Sequence, residues 1–289
     1  MRALVTGALV LVLSFAACGG DDEEPTSEPA AKKPSAISLT TTEQGDKVSL
    51  ELSGSPKPGP TTINFKNEGK GEHEAQLIRV EGDHSQKEML KVLEGAGEAN
   101  PLPEWFRAAG GPGTIKPGTS TSVDVDLVPG TYYAVDAGST EGEGEGKPYY
   151  TQGGLVRFEV QGDKASGELP GAPATVSAKE YSFDASGLKA GKNRIAFDNV
   201  GAEPHHIIAL PMTPGATVAD VRKFFETEKG KPPVNFEEIQ ATSVIDGGTV
   251  ENVEMELKSG KYALVCFISD RAGGPPHAAK GMISEATVE

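Results

Sequence analysis

The sequence predicts a mainly β protein built as two tandem Greek-key β-sandwiches, each with a short inserted helix, and three observations predict it. Short runs rich in Val, Ile, Phe and Tyr are divided by turn signals along most of the chain, with 36 glycines and 21 prolines in 289 residues, the pattern of many strands and few helices. That length accommodates two separate cores. The chain also aligns with itself: "INFKNEGKGEH" (63–73) matches "IAFDNVGAEPH" (195–205), and "VPGTYYAVD" (128–136) matches "KSGKYALVC" (258–266). Phe65, Asn67, Gly69 and His73 thereby fall on Phe197, Asn199, Gly201 and His205. One unit has been duplicated.

Taken in order, the first element is an export signal over residues 1–18. One basic residue, Arg2, precedes an apolar run from Ala3 to Ala17 and small residues before Cys18, a run too short to span a bilayer comfortably. "FAAC" (15–18) resembles the lipobox of bacterial lipoproteins, in which the cysteine is acylated and becomes the mature N-terminus; Phe15 stands where that family usually has leucine. Lipidation of Cys18 is expected, the alternatives being ordinary secretion after cleavage or a retained anchor; acylation would place the protein outside the cytosol, on the outer face of the cytoplasmic membrane of a bacterium. The polar stretch 19–35 reads as a flexible tether. The first unit follows over 36–161, and a Gly- and Pro-rich boundary, "GDKASGELPGAP" (162–173), leads to the second over 170–289. Each unit carries a helix signal with a capping pattern, Ser85 with Glu88 and Thr217 with Asp220. In the last hairpin Tyr262, Leu264 and Cys266 share one strand face and Ala263 and Val265 the other.

A formal net charge of −15 argues against nucleic acid as a partner, because that binding needs a basic surface that releases counterions. The chain has two cysteines; with Cys18 acylated, Cys266 has no disulfide partner. It sits in "YALVCFISDRAGGPPHAAKGM" (262–282), ahead of His277 and Met282. Singly, these are a core cysteine, a loop histidine and a core methionine, and His205 is a strand-end histidine. Together they have the residue types of a copper site: thiolate and thioether suit the cuprous ion, imidazole the cupric one.

"NVGAEPHHIIAL", "SGKYALVC" and "HAAKGM" resemble the cupredoxins, the blue type 1 copper family. The resemblance implies a cupredoxin-like sandwich holding one copper between His205, Cys266, His277 and a weak axial Met282. His205 is preferred over His206 because it follows Pro204 and matches His73; His206 could instead tie the two ligand-bearing segments together, replace His205, or face solvent. The Cys-x₁₀-His spacing is longer than in small cupredoxins. In the first unit only His73 remains, with Asp136 on the cysteine position, Tyr149 on that of His277 and Gly154 on that of Met282. That unit is expected to be a copy without metal, although an imidazole and a carboxylate could hold a hard ion weakly. Trp105 is read as a packing residue.

The five histidines include no His-x-His pair, and Val265 precedes the thiolate where copper nitrite reductases have histidine. The expectation is therefore a protein that is not an enzyme: an extracytoplasmic, membrane-tethered carrier of single electrons, with a transient redox protein as partner. The alternative is a lipoprotein that buffers copper without redox chemistry, or a metal-free interaction lipoprotein. The uncharged run Gly273–Ala279 is expected to bring the His277 edge to the surface as a docking patch.

Overall fold

The computed structural model of the chain describes residues 34–95, 100–139, 146–165 and 167–289. The export signal over 1–18, the acylation of Cys18 and nearly all of the tether over 19–35 lie outside the described residues, as does the stretch 140–145.

Each half forms strands and one helix in the same order. The first comprises β1 (Ser35–Gln44), β2 (Lys47–Ser53), β3 (Gly59–Asn67), β4 (Gln76–Val80), α1 (Gln86–Gly95), β5 (Phe106–Ala108), β6 (Ser120–Leu127), β7 (Gly130–Val135) and β8 (Leu155–Val160). The second comprises β9 (Ala174–Lys179), β10 (Ser182–Ser186), β11 (Gly191–Asn199), β12 (Ile208–Pro211), α2 (Val218–Thr227), β13 (Gln240–Ala241), β14 (Val250–Leu257), β15 (Gly260–Val265) and β16 (Ile283–Val288). The pairings repeat as well. β1 lies antiparallel to β2 and parallel to β3, β3 antiparallel to β6, and β4 and β8 flank β7 with β5 outside β4. Each pairing recurs among β9–β16. The chain changes sheet after β3, returns at β6 and leaves again at β7, the winding of a Greek-key sandwich.

One pairing has no counterpart within a half. β6 and β14 meet antiparallel, Val125 opposite Glu251 and Asp124 opposite Asn252, and so fuse two sheets into one of order β10-β9-β11-β14-β6-β3-β1-β2. Over these two residue pairs each strand covers the edge that the other would leave open. Glu251 is fully buried there, accepting a hydrogen bond from the Gly111 amide of the other half at 3.0 Å, and burial pushes its carboxyl up to about 8.

Strand alternation divides the apolar residues between two layers. Tyr262, Leu264 and Cys266 of the β15 segment join the central core, while Ala263 and Val265 pack on the opposite face with Val221 of α2. α2 can cover that face because Val218, Val221 and Phe225 recur at helical spacing on one side. Its start is set by the capping box, with the Asp220 amide donating to Thr217 Oγ1 at 3.2 Å and the Thr217 amide to Asp220 Oδ2 at 2.9 Å. Ser85 and Glu88 make the same exchange at α1. Trp105 stacks on His84 at 4.1 Å against the cluster under α1, a packing role.

Replacing Thr217 by Ala removes a reciprocal cap and is expected to lower stability by about 1 kcal/mol, measured by urea unfolding; Thr217→Asp, which keeps an acceptor at the cap, is expected to restore most of it.

Candidate metal centre

His205 is delivered by a built turn. β11 ends at the buried Asn199, whose side chain donates to the Glu203 carbonyl at 2.8 Å and the Ile245 carbonyl at 3.1 Å and accepts from the Gly201 amide. A Cβ on Gly201 would lie 2.4 Å from Glu180 Oε1, so a side chain there would push aside the carboxylate that accepts from the amides of Ala202 and Glu203. His205 then pairs with Ile245 through both backbone groups, at 3.0 and 2.9 Å. The ring of His205 turns inward, and His206 takes the other side, where its Nε2 accepts from the Phe267 amide at 3.0 Å. That bond ties the segment after His205 to the segment after Cys266, the first of the roles open to His206.

The other residues come from β15 and the loop beyond it. The amide of His277 donates to the Ile268 carbonyl at 2.8 Å, that of Ala278 to Cys266 at 2.7 Å, that of Met282 to His277 at 2.9 Å, and that of Cys266 to Met282 at 3.3 Å. Cys266, His277 and Met282 are thus laced together through their backbones before any ion is considered. All four residues, His205 included, have no exposed surface.

The structure brings His205, Cys266 and His277 into one group able to hold a metal ion. The two Nδ1 atoms lie 3.0 Å apart, and Cys266 Sγ lies 3.5 Å from that of His277 and 3.7 Å from that of His205. A point in their plane is about 2 Å from all three, the length of a metal–imidazole bond. Burial, and then the charge of His277, lower the pKa of His205 to about 4. Burial raises the Cys266 thiol to about 11. At neutral pH the pocket therefore holds neutral imidazoles and a thiol whose proton an ion would displace. Met282 stands beside the group, its carbonyl bonded to the Cys266 amide and its side chain fully buried.

The expected exposure of His277 is corrected by the structure. Its Nε2 lies 3.0 Å from Asp270 Oδ1, and Tyr181 tilts over the ring at 5.1 Å. Lys280 bonds both Asp270 and the Tyr181 hydroxyl. The long loop has room to fold Asp270 back over the imidazole, which leaves Pro275, Pro276 and Ala279 exposed but not the ring. A carboxylate on Nε2 holds the ring proton there and leaves the Nδ1 lone pair facing the pocket. No local pattern in the sequence singles out Asp270, because its contact with His277 is made only when the loop folds back.

The same frame recurs in the first half with other contents. Asn67 holds the turn, and His73 pairs with Ile115 as His205 does with Ile245. Asp136 occupies the cysteine position, and its amide donates to the Gly154 carbonyl as that of Cys266 does to Met282. Its carboxylate accepts from His73 Nδ1 at 2.5 Å, while Glu43 accepts from Nε2 at 2.8 Å. Tyr149 tilts over the ring at 4.3 Å. Both ring nitrogens are engaged, so no lone pair is left for an ion. Burial opposes the charge on His73, but the hydrogen bonds and charges of Asp136 and Glu43 outweigh it and raise its pKa. Glu43 aligns with Glu180: Leu39 pairs with Phe65 as Val176 does with the equivalent Phe197, and each glutamate lies four residues further on; extending the repeat upstream would have found it.

A four-plus-four Greek-key sandwich with a His–Cys–His group at one end is the cupredoxin-like architecture. The chain has this sandwich twice, once with that donor set and once without it. No family model matches the chain, and no curated protein matches it. Among solved structures, reduced auracyanin from Roseiflexus castenholzii is 21% identical, with 40% of this chain on 94% of that one and a TM-score of 0.27. A multicopper oxidase is 15% identical over 88% of both chains, with a TM-score of 0.23. A copper-containing nitrite reductase from Thermus scotoductus is 11% identical over 88% of this chain and 60% of that one, with a TM-score of 0.22. The expectation that the protein is not an enzyme is corrected here: solved structures matched over 88–89% of this chain include a multicopper oxidase, a laccase and a copper-containing nitrite reductase. A histidine count rules out particular copper sets, not catalysis.

The His73–Asp136 pair of the first half has a pH signature: Asp136 and Glu43 raise the pKa of His73, and burial, only partly offset by His73, raises that of Asp136. A histidine whose folded pKa is raised stabilises the fold fully below its ordinary value of 6.5, and that contribution is lost as pH rises through the folded value. His73→Gln, which cannot carry the proton held between Asp136 and Glu43, is expected to cost roughly 3 kcal/mol at pH 6. The difference from the wild type should shrink toward alkaline pH in urea unfolding of metal-free protein.

Proposed function

We propose that the second half holds one copper ion between His205 Nδ1, Cys266 Sγ and His277 Nδ1, with Met282 as a weak axial donor, and that the protein carries single electrons there. The observation that carries this reading is the buried triangle of two imidazole nitrogens and one thiol, with a shared point at bonding distance from all three. Bound copper supplies a one-electron couple whose two states this donor set accommodates. The chain's own residues do the rest. The backbone lacing of Cys266, His277 and Met282 restrains the donors, so little rearrangement accompanies a change of charge. Asp270 holds the Nε2 proton of His277 and keeps its Nδ1 free. His206 fixes the distance between the two donor-bearing segments.

We propose further that the protein is exported, acylated at Cys18 and held at the outer face of the cytoplasmic membrane, where a transient redox protein meets it. The sequence before the described residues supports this, and a polar tether would let the copper half reach a partner.

Residues 19–289, given cupric ion, are expected to bind one equivalent and develop a strong thiolate-to-copper band in the visible spectrum. Cys266→Ser should abolish that band, and Met282→Leu should keep it while raising the reduction potential. Colour persisting in Cys266→Ser would sink the assignment; stoichiometric binding of cuprous ion without colour would favour copper buffering.

For the anchor, Cys18→Ala is expected to release the protein from the membrane fraction or leave the precursor unprocessed, since stable anchoring takes more than one acyl chain. A mature wild-type form that begins after Cys18 would rule acylation out.

A further inference from the structure

The long segment between Cys266 and His277 leans on the first half. Arg271, at its middle, donates through Nη2 to the carbonyls of Pro103 at 2.9 Å and Phe106 at 2.7 Å, and through Nη1 to Asp246 Oδ1 at 2.8 Å. Its own carbonyl accepts from the Leu102 amide at 2.7 Å, and its amide donates to Glu203 Oε2 at 2.6 Å. The side chain is only 15% exposed. Three of these five bonds go to the first half, and a fourth goes to the turn that delivers His205.

A second contact reaches His205 by another route. Ile245 pairs with His205 on one side of the extended segment 244–246. On the other side the Gly110 amide donates to the Val244 carbonyl at 3.0 Å, and the Asp246 amide to the Ala108 carbonyl at 2.9 Å. Gln76 closes the same segment, with the Val244 amide donating to its Oε1 at 2.7 Å and its Nε2 donating to the Val244 carbonyl at 3.0 Å. The strand that holds His205 is therefore itself held by the first half.

We propose that the first half, which has lost the donor set, is a positioning scaffold for the metal centre of the second, and that Arg271 is the residue through which it places the Cys266–His277 segment. A loop of this length, with Gly273 and Gly274 in it, has many conformations open to it when unsupported. Three carbonyl and carboxylate acceptors around one planar guanidinium fix its middle in direction as well as in distance. The loop's excess length then has two uses: Asp270 caps His277, and Arg271 reaches the neighbouring half. The proposal rests on the copper reading for what is positioned, whereas the contacts themselves belong to the metal-free chain.

The test compares full-length wild type, Arg271→Ala and Arg271→Lys. In metal-free protein, hydrogen exchange of the amides of residues 267–278 should speed up strongly in Arg271→Ala and less in Arg271→Lys, which can still reach Asp246. With cupric ion, Arg271→Ala should still take one equivalent, with affinity lower by about tenfold and with altered copper hyperfine splitting and visible band ratio. Arg271→Lys should recover part of each. A folded Arg271→Ala with wild-type exchange, affinity and spectrum would overturn the proposal. If Arg271→Ala does not fold, Gln76→Ala, a change wholly within the first half, decides by the same readouts: a changed copper spectrum supports the scaffold, and an unchanged one with unchanged exchange overturns it. A wild type that binds no copper at all removes the copper reading alone, and the exchange comparison still decides whether the first half positions the loop.

Discussion

The extended segment around Ile245 is the constraint on which the rest of the molecule depends. Its backbone is a shared strand, bonded on one side to His205 and on the other to Ala108 and Gly110 of the first half. Buried amides and carbonyls must find partners, and here the partners of one half's ligand strand come from the other half. The pairing of β6 with β14 does the same for the large sheet. The two sandwiches therefore share hydrogen-bond ladders, and the apolar residues of their inner faces form one continuous cluster.

Within that frame each half solves the same electrostatic problem differently. A buried pocket lined by polar atoms must be neutralised or paired. The first half does it with a proton: His73 sits between two carboxylates, and each ring nitrogen has an acceptor. In the second half no carboxylate forms an ion pair with His205 among the described residues, and His205 Nε2 has no hydrogen-bond partner among them. Its three donors converge instead on a point that an ion can occupy. The divergence comes down to a few positions: Cys266 against Asp136, His277 against Tyr149, and a glutamate that reaches the ring in one half but only the turn amides in the other.

The loop between Cys266 and His277 shows how length alone changes the role of a ligand-bearing segment. A short connection would leave little chain beyond the ligand positions. Ten intervening residues place a carboxylate on His277 and a guanidinium on the neighbouring half. The cost is a ring edge withdrawn from the surface. Phe267, directly after Cys266, is 37% exposed instead.

The sequence by itself determined the duplication, the mainly β class, the two capped helices, the face on which Cys266 lies and the inward turn of His205 rather than His206. All of these follow from local periodicities and fixed spacings: alternation along a strand, Ser or Thr three residues before an acid, a matched Asn and Gly before a histidine. Only the tertiary structure decided that His206 ties two segments together, that Asp270 caps His277, that Glu43 and Asp136 enclose His73, and that Arg271 bonds the first half. The side-chain partners of Arg271 in the first half lie 165 and 168 residues away, and Asp136 lies 63 residues from His73. A polar contact between distant segments leaves no periodic trace in either one, because the residue needs only to be a donor or acceptor at the place where the fold brings the other.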